Sequence, residues 1–254
     1  MSLLVVDRLC KSFGGVRAVD DVSFSLAPGE LLAMIGPNGA GKTTCFNMIN
    51  GQLAADSGRV LLHDADISRL PPREIWKRGV GRTFQIAATF ASLTVVENVQ
   101  MALISHAGRL YRMWSRAAAF EREKALALLA QVGMAEQADR PCGVLAYGDV
   151  KRVELAIALA NEPKLLLMDE PTAGMAPKER NELMALTRKL VVERGIGVLF
   201  TEHSMDVVFG YADRLVVLAR GKLIAQGDVD AIRNDPNVRA VYFGSGKTVE
   251  RARA

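Results

Sequence analysis

Gly36-Pro37-Asn38-Gly39-Ala40-Gly41-Lys42-Thr43 follows the pattern G-x-x-x-x-G-K-[ST]. Each residue type has a chemical reason to be there. Glycines let the backbone turn its N–H groups toward a bound phosphate, and a helix opening at Lys42 adds the positive end of its dipole. Lys42 is a point charge for β- and γ-phosphates, and the Thr43 hydroxyl is a hard oxygen suited to Mg²⁺. A second, acidic element closes the apolar run Leu165-Leu166-Leu167-Met168 with Asp169-Glu170. Asp169 is placed to hold the metal, directly or through water. Glu170 is placed to polarise an attacking water as general base. A divalent cation between phosphate and carboxylate offsets the repulsion of two adjacent acids. The tail string Gly244-Ser245-Gly246-Lys247-Thr248 copies half of the loop pattern, but Val241 stands at the first glycine position and no strand-to-helix context surrounds it.

The elements that must carry these residues are legible in the hydropathy. Leu31–Ile35 is a short continuous apolar run, the pattern of a strand buried on both faces, and it feeds directly into the glycine loop and a helix over Lys42–Asn50. Val19–Leu26 alternates and ends in Pro28-Gly29, as an antiparallel strand does, and Gly58–Leu62 reads as another strand before the polar turn His63-Asp64-Ala65-Asp66. Leu165–Met168, Gly197–Phe200 and Leu215–Leu218 repeat the buried-strand pattern. From Val95 to Gln137 the spacing becomes helical (Val99, Leu103; Leu126, Leu129, Val132), and a further helix spans Val150–Ala160 before Asn161-Glu162-Pro163 stops it. Strands alternating with helices predict an α/β fold with a largely parallel sheet and an inserted helical lobe.

Composition sets the outer bounds. The 254 residues are 50% hydrophobic and 24% charged, enough apolar material for a substantial core. The net charge of +4 is spread along the chain and does not mark a nucleic-acid binder. Cys10, Cys45 and Cys142 have neither disulfide nor metal spacing, which fits a reducing compartment. No secretory signal is visible and no apolar run approaches the ~18–20 residues of a membrane span, so a membrane role requires a partner to hold the chain there.

Further strings narrow the class. The guanine reader Asn-Lys-x-Asp and the switch Asp-x-x-Gly of GTPases do not occur, whereas Leu145-Ala146-Tyr147-Gly148-Asp149, Gln85 after Arg82-Thr83-Phe84, and Thr201-Glu202-His203 do. In this order the chain resembles the nucleotide-binding subunit of ABC transporters over nearly its whole length: an A-loop aromatic (Phe13), Walker A (Gly36–Thr44), Q-loop (Gln85), signature (Leu145–Asp149), Walker B (Leu165–Glu170), D-loop (Ala173–Ala176) and switch histidine (His203). Ser12-Phe13-Gly14-Gly15, Arg82-Thr83-Phe84-Gln85, the Leu-Ala-Tyr-Gly signature, Ala173-Gly174-Met175-Ala176-Pro177, Ile232–Pro236 and Ala240–Gly244 resemble one branch, the LivG-type ATPase of bacterial branched-chain amino-acid importers.

The resemblance implies a P-loop NTPase (RecA-like) core with a mixed sheet, an antiparallel β subdomain and an inserted α-helical subdomain. One nucleotide-binding domain would span 1–243, with its core at 1–92 and 161–243 and its helical part at about 93–160, followed by a basic tail at 244–254. It implies an ATPase using ATP and Mg²⁺, in which Phe13 stacks on adenine and Gly36, Pro37, Asn38, Gly39, Ala40, Gly41, Lys42, Thr43 and Thr44 hold the phosphates. Thr43, Gln85 and Asp169 would serve the metal, and Glu170, His203, Gln85 and Lys42 the chemistry. Leu145, Ala146, Tyr147, Gly148 and Asp149 would act on the ATP of a second subunit, a paralogue or another copy. Two membrane permeases and, indirectly, a solute-binding protein complete the expected assembly on the cytoplasmic face of the bacterial membrane.

Three residues depart from the family pattern. Ala146 stands for the signature serine, Asp149 for glutamine and Ala176 for the D-loop aspartate, changes a heteromeric pair with unequal sites would tolerate. Alternatives that stay open are amide or urea import, lipopolysaccharide export, a non-transport ABC ATPase, and a non-catalytic nucleotide module, the last disfavoured by intact Lys42, Asp169, Glu170 and His203. Arg109-Leu110-Tyr111-Arg112-Met113-Trp114-Ser115-Arg116 reads as an amphipathic helix surface, with docking to a membrane subunit or lipid headgroups as the sharper reading. Cys45 lies in the first turn after the phosphate loop, where a helix dipole lowers a thiol pKa, although an inert buried cysteine is the favoured reading. His63 and His106 read as ordinary surface histidines.

Overall fold

The computed structural model describes residues 2–83, 89–108 and 120–243. Gln85, the basic-aromatic segment 109–116 and the tail 244–254 fall outside those residues.

The strands form two sheets. Strands β1 (Leu4–Phe13), β2 (Val16–Leu26), β4 (Ser57–Leu62) and β5 (Ala65–Asp66) form an antiparallel sheet in the order β2-β1-β4-β5. The polar run 63–66 is thus a two-residue turn, His63-Asp64, followed by a short strand. The second sheet combines β3 (Leu31–Ile35), β6 (Val80–Thr83), β7 (Leu165–Asp169), β8 (Gly197–Thr201), β9 (Arg214–Ala219) and β10 (Lys222–Asp228) in the order β10-β9-β3-β8-β7-β6. All of its neighbours pair in parallel except β10 with β9.

The unbroken apolar runs are explained by burial on both faces of this sheet. In β3, Leu31, Ala33 and Ile35 join one hydrophobic cluster while Leu32 and Met34 join the other. The same period-two division separates Leu166 and Met168 from Leu165 and Leu167 in β7, and Leu215 and Val217 from Val216 and Leu218 in β9. The first cluster lies against the helical side, which includes α3 (Val95–His106), α4 (Arg122–Gln131), α5 (Tyr147–Leu159) and α6 (Pro177–Arg194). The second fills the space between the central sheet, helix α1 (Lys42–Ile49) and the antiparallel sheet.

Local chemistry sets the helix ends. Thr94 and Glu97 form a reciprocal capping box at the start of α3, with the Glu97 carboxylate accepting the Thr94 N–H at 2.8 Å. Helix α6 opens on Pro177 and ends at Gly195 with φ 65°. Helix α5 begins at Tyr147, three residues earlier than the sequence suggests. Ala146 supplies the extended N-cap backbone, and Lys151 one turn on places its ammonium 5.5 Å from the Tyr147 ring. Short helices α2 (Pro72–Lys77), α7 (Met205–Tyr211), α8 (Val229–Asn234) and α9 (Pro236–Phe243) complete the described elements. No helix among the described residues is long and apolar enough to cross a membrane.

Candidate functional site

The glycine loop turns from β3 into α1 at the carboxyl end of the parallel strands, where α/β folds place their ligands. Gly36 and Gly41 are required by space as well as by dihedral angle. A Cβ at Gly36 would lie 2.3 Å from the Leu218 carbonyl oxygen, and one at Gly41, whose φ is 102°, would lie 2.3 Å from that of Ala18. Gly41 also caps α1 with no side-chain acceptor, so the first-turn N–H groups keep their capacity for an anion.

Lys42 is almost buried, and its ammonium donates to the carbonyl oxygens of Gly36 at 2.7 Å and Pro37 at 3.2 Å. Burial pulls its pKa below the ordinary lysine value, while the negative charges of Glu170 and Asp169 push the other way. The charge is therefore held in a low-dielectric pocket by nearby carbonyls and acids, where a phosphate is a stronger partner than water.

The acidic pair is built by β7 and its neighbour β8. Parallel register sets Asp169 opposite Thr201, and the fully buried Thr201 hydroxyl donates to Asp169 Oδ1 at 2.8 Å. The Glu170 N–H in turn donates to the Thr201 hydroxyl oxygen at 3.0 Å and its carbonyl at 3.2 Å. Glu170 has φ 47°, left-handed and rare for a residue with a side chain, and these bonds hold it there. The Glu170 carboxylate meets the His203 ring, Oε1 to Nε2 at 2.9 Å.

Glu202, buried between Thr201 and His203, is a supporting residue that the sequence reading passes over. Its Oε1 accepts from the Thr172 N–H at 2.8 Å and the Thr172 hydroxyl at 2.6 Å, and its Oε2 accepts the His203 N–H at 3.1 Å. It thereby ties the loop after Glu170 to the loop that carries His203. An acidic residue at the end of a buried strand is the signal that marks it.

One cavity of about 300 Å³ gathers most of the expected site. Phe13, Ala18, Asn38, Gly39, Ala40, Gly41, Lys42, Thr43, Thr44, Glu170 and His203 line it. Phe13 stands at the end of β1, half exposed, with the Lys11 ammonium 5.8 Å from its ring centre. Signature residues Leu145–Asp149 are not among the lining. They sit at the start of α5, where Tyr147 faces Gly174, Gly148 faces Glu179, and Asp149 accepts from the Gln137 amide at 3.3 Å. Gln85 lies outside the described residues.

Cys45 shows which of two opposed effects dominates. It occupies the first turn of α1 but is fully buried, and that burial pushes its thiol up to about 12. Desolvation outweighs the helix dipole here, and the cysteine is inert at neutral pH.

The family model for the ABC transporter matches residues 19–173, well over half of the chain. The chain belongs to the ABC transporter ATP-binding family. A second model, for the branched-chain amino acid ATP-binding cassette transporter, matches residues 222–248. The high-affinity branched-chain amino acid transport ATP-binding protein LivG of Escherichia coli is 39% identical over 249 residues, covering 95% of this chain and 98% of that protein. Among solved structures, a nucleotide-free ATP-binding cassette from an ABC transporter superposes with a TM-score of 0.85 at 35% identity, covering 95% of this chain and 99% of that one. A dimeric ATP-binding cassette in a post-hydrolysis state bound to ADP and Pi superposes with a TM-score of 0.76 at 27% identity, covering 89% of this chain and 98% of that one. As an ABC cassette the chain is a nucleotide-binding ATPase, with the P-loop core, antiparallel sheet and inserted helices of that fold.

Proposed function

We propose that this chain is the ATPase subunit that energises import of branched-chain amino acids. The observation that carries the reading is the cavity joining Phe13, the loop 38–44, Glu170 and His203. Phe13 offers an apolar ring for adenine, and stacking is as available to Phe as to Tyr. Lys42 exchanges the Gly36 and Pro37 carbonyls for β- and γ-phosphate oxygens, and Thr44 takes the α-phosphate. Glu170 accepts a proton from the attacking water, and its 2.9 Å contact with His203 keeps the carboxylate and ring aligned on the γ-phosphate side of the cavity.

The donor chemistry suits Mg²⁺. Thr43 contributes an exposed hydroxyl and Asp169 a carboxylate, both hard oxygen donors, with the remaining positions left to phosphate and water. The metal supplies charge neutralisation at the phosphates when bound. Gln85 is assigned to the same metal or to the water from its place in the sequence.

Leu145–Asp149 open a helix whose N-cap Ala146 makes no side-chain cap, leaving first-turn N–H groups for a partner's γ-phosphate. Their absence from this chain's own cavity supports a two-subunit engine. With Ala146 in place of a hydroxyl residue, that contact rests on backbone donors. The second ATP-binding subunit is a paralogue or another copy, and two permeases on the cytoplasmic face of the membrane receive the closure movement, with a solute-binding protein delivering substrate outside. The match over residues 222–248 and the likeness to LivG support the branched-chain amino-acid branch.

The test is steady phosphate release by the assembled transporter in vesicles loaded to follow leucine uptake. Glu170→Gln is expected to abolish hydrolysis and uptake while ATP binding persists. Hydrolysis at the wild-type rate in that variant refutes the catalytic assignment, and ATPase stimulation by another solute class but not by leucine refutes the substrate.

A further inference from the structure

Arg82 is buried next to the catalytic carboxylates, yet none of the steps above uses it. It lies on β6, one residue before the pairing of Thr83 with Met168 of β7, and its side chain is 8% exposed. Nη1 donates to Asn47 Oδ1 at 3.0 Å and to Gln52 Oε1 at 2.8 Å. Asn47 lies on α1, the helix that begins with Lys42 and Thr43, and Gln52 follows that helix. Nη2 lies 3.6 Å from Asp169 Oδ2. That is well beyond the ~2.7–2.9 Å of a charge-assisted hydrogen bond. The close, directional contacts of the guanidinium therefore include two neutral amides, while Asp169 receives its charge at longer range. The other carboxylate oxygen, Oδ1, already accepts from Thr201.

We propose that Arg82 is a positioning residue that sets how tightly Asp169 takes the metal. Tethered to α1, it is a fixed positive charge beside the metal-binding carboxylate. A carboxylate that faces a guanidinium is a poorer partner for a dication, because each cation lowers the negative potential available to the other. The tether through Asn47 ties this counter-charge to the helix that carries the phosphate loop, so the charge beside Asp169 is held at a fixed place relative to that loop. Burial pulls the Arg82 pKa down while the Asp169 charge opposes that shift, and a guanidinium is charged throughout the working pH range. The inference rests on the assignment of Asp169 to Mg²⁺ made above.

The experiment is equilibrium binding of a fluorescent ADP analogue to the intact chain, titrated with Mg²⁺, with thermal unfolding recorded on the same samples. Arg82→Met is expected to lower the half-saturating Mg²⁺ concentration by roughly tenfold while leaving metal-free nucleotide affinity within about twofold. Arg82→Lys, which keeps the charge, is expected to stay within about threefold of the wild type. Asn47→Ala, which cuts one tether and lets the guanidinium close on Asp169, is expected to move the Mg²⁺ requirement the other way, upward. If Arg82→Met does not fold, Asn47→Ala decides the matter. An unchanged or raised Mg²⁺ requirement in Arg82→Met, or an unchanged or lowered one in Asn47→Ala, overturns the proposal even where stability falls. A wild type whose nucleotide affinity ignores Mg²⁺ instead overturns the metal assignment of Asp169 itself.

Discussion

Thr201→Val isolates the support of the acidic pair from the pair itself. The Thr201 hydroxyl is completely buried, donates to Asp169 Oδ1 at 2.8 Å and accepts the Glu170 N–H at 3.0 Å. Valine nearly matches the shape but removes both functions, and a hydrogen bond to a charged group contributes about 1.5–3 kcal/mol. For a chain of this size each kcal/mol shifts the unfolding midpoint by about 2–4 °C, so the midpoint is expected to fall by about 3–12 °C. The catalytic loss is expected to be at least as diagnostic. Glu170 sits at φ 47° and would keep only the longer bond from its N–H to the Thr201 carbonyl, 3.2 Å, of the two that hold it. If the full hydrogen-bond energy is felt at the transition state, kcat falls roughly ten- to hundredfold. Nucleotide affinity, which depends on the loop 38–44 and Phe13, should stay within about threefold of the wild type. Phosphate release at saturating Mg–ATP, a fluorescent-nucleotide titration and a melting curve supply the three readouts. A lowered midpoint with unchanged kcat refutes the argument, because it leaves Thr201 as packing with no hold on Glu170.

Other outcomes follow from the same geometry. Lys42→Ala removes the buried ammonium and is expected to weaken ATP binding by about a hundredfold or more, measured by the same titration. Glu202→Gln keeps the size but halves the acceptor capacity that serves Thr172 and His203, and at least a fivefold loss of kcat is expected with little change in nucleotide affinity. Cys45, with its thiol pushed up to about 12, should resist maleimide at pH 7 with or without nucleotide, so mass mapping of labelled peptides should find Cys10, the more exposed thiol, modified first. Asp213 accepts from the Leu31 N–H at 2.8 Å and from Arg188 at 2.6 Å. Although burial opposes it, these partners hold its carboxyl below the usual value. A carboxyl lowered on folding contributes stability that is complete above its unfolded pKa and is lost as the pH drops through its folded one. Asp213→Asn should therefore lower the melting point at pH 7 and flatten its decline below pH 4, with an unchanged decline counting against the assignment.

The legible parts of this molecule are those where one physical effect dominates. Leu31–Ile35, Leu165–Met168 and Leu215–Leu218 read as buried strands because both faces of the central sheet are covered, and the glycines of the phosphate loop announce a turn no other residue can make. The start of α5 is hidden because Ala146 is a poor capping residue by type, and nothing nearby in the chain reveals that Tyr147 closes over Lys151. The Cys45 thiol needs the structure to weigh a dipole against desolvation. Thr201 lies one residue beyond the strand expected from hydropathy, and its role comes from cross-strand register with Asp169. Glu202 is marked only as an acid at a strand end and Arg82 not at all, since their partners Thr172, Asn47 and Gln52 are distant in the chain and meet only when the sheet and α1 assemble.

The central claim is that Lys42, Glu170 and His203 act on one triphosphate. A crystal structure of the Glu170→Gln protein with Mg–ATP tests it most directly. The account predicts the Lys42 ammonium moved from the Gly36 and Pro37 carbonyls onto phosphate oxygens, adenine against Phe13, and both His203 and the substituted amide side chain facing the γ-phosphate. Nucleotide bound elsewhere, or bound here with Lys42 still on the two carbonyls, contradicts it.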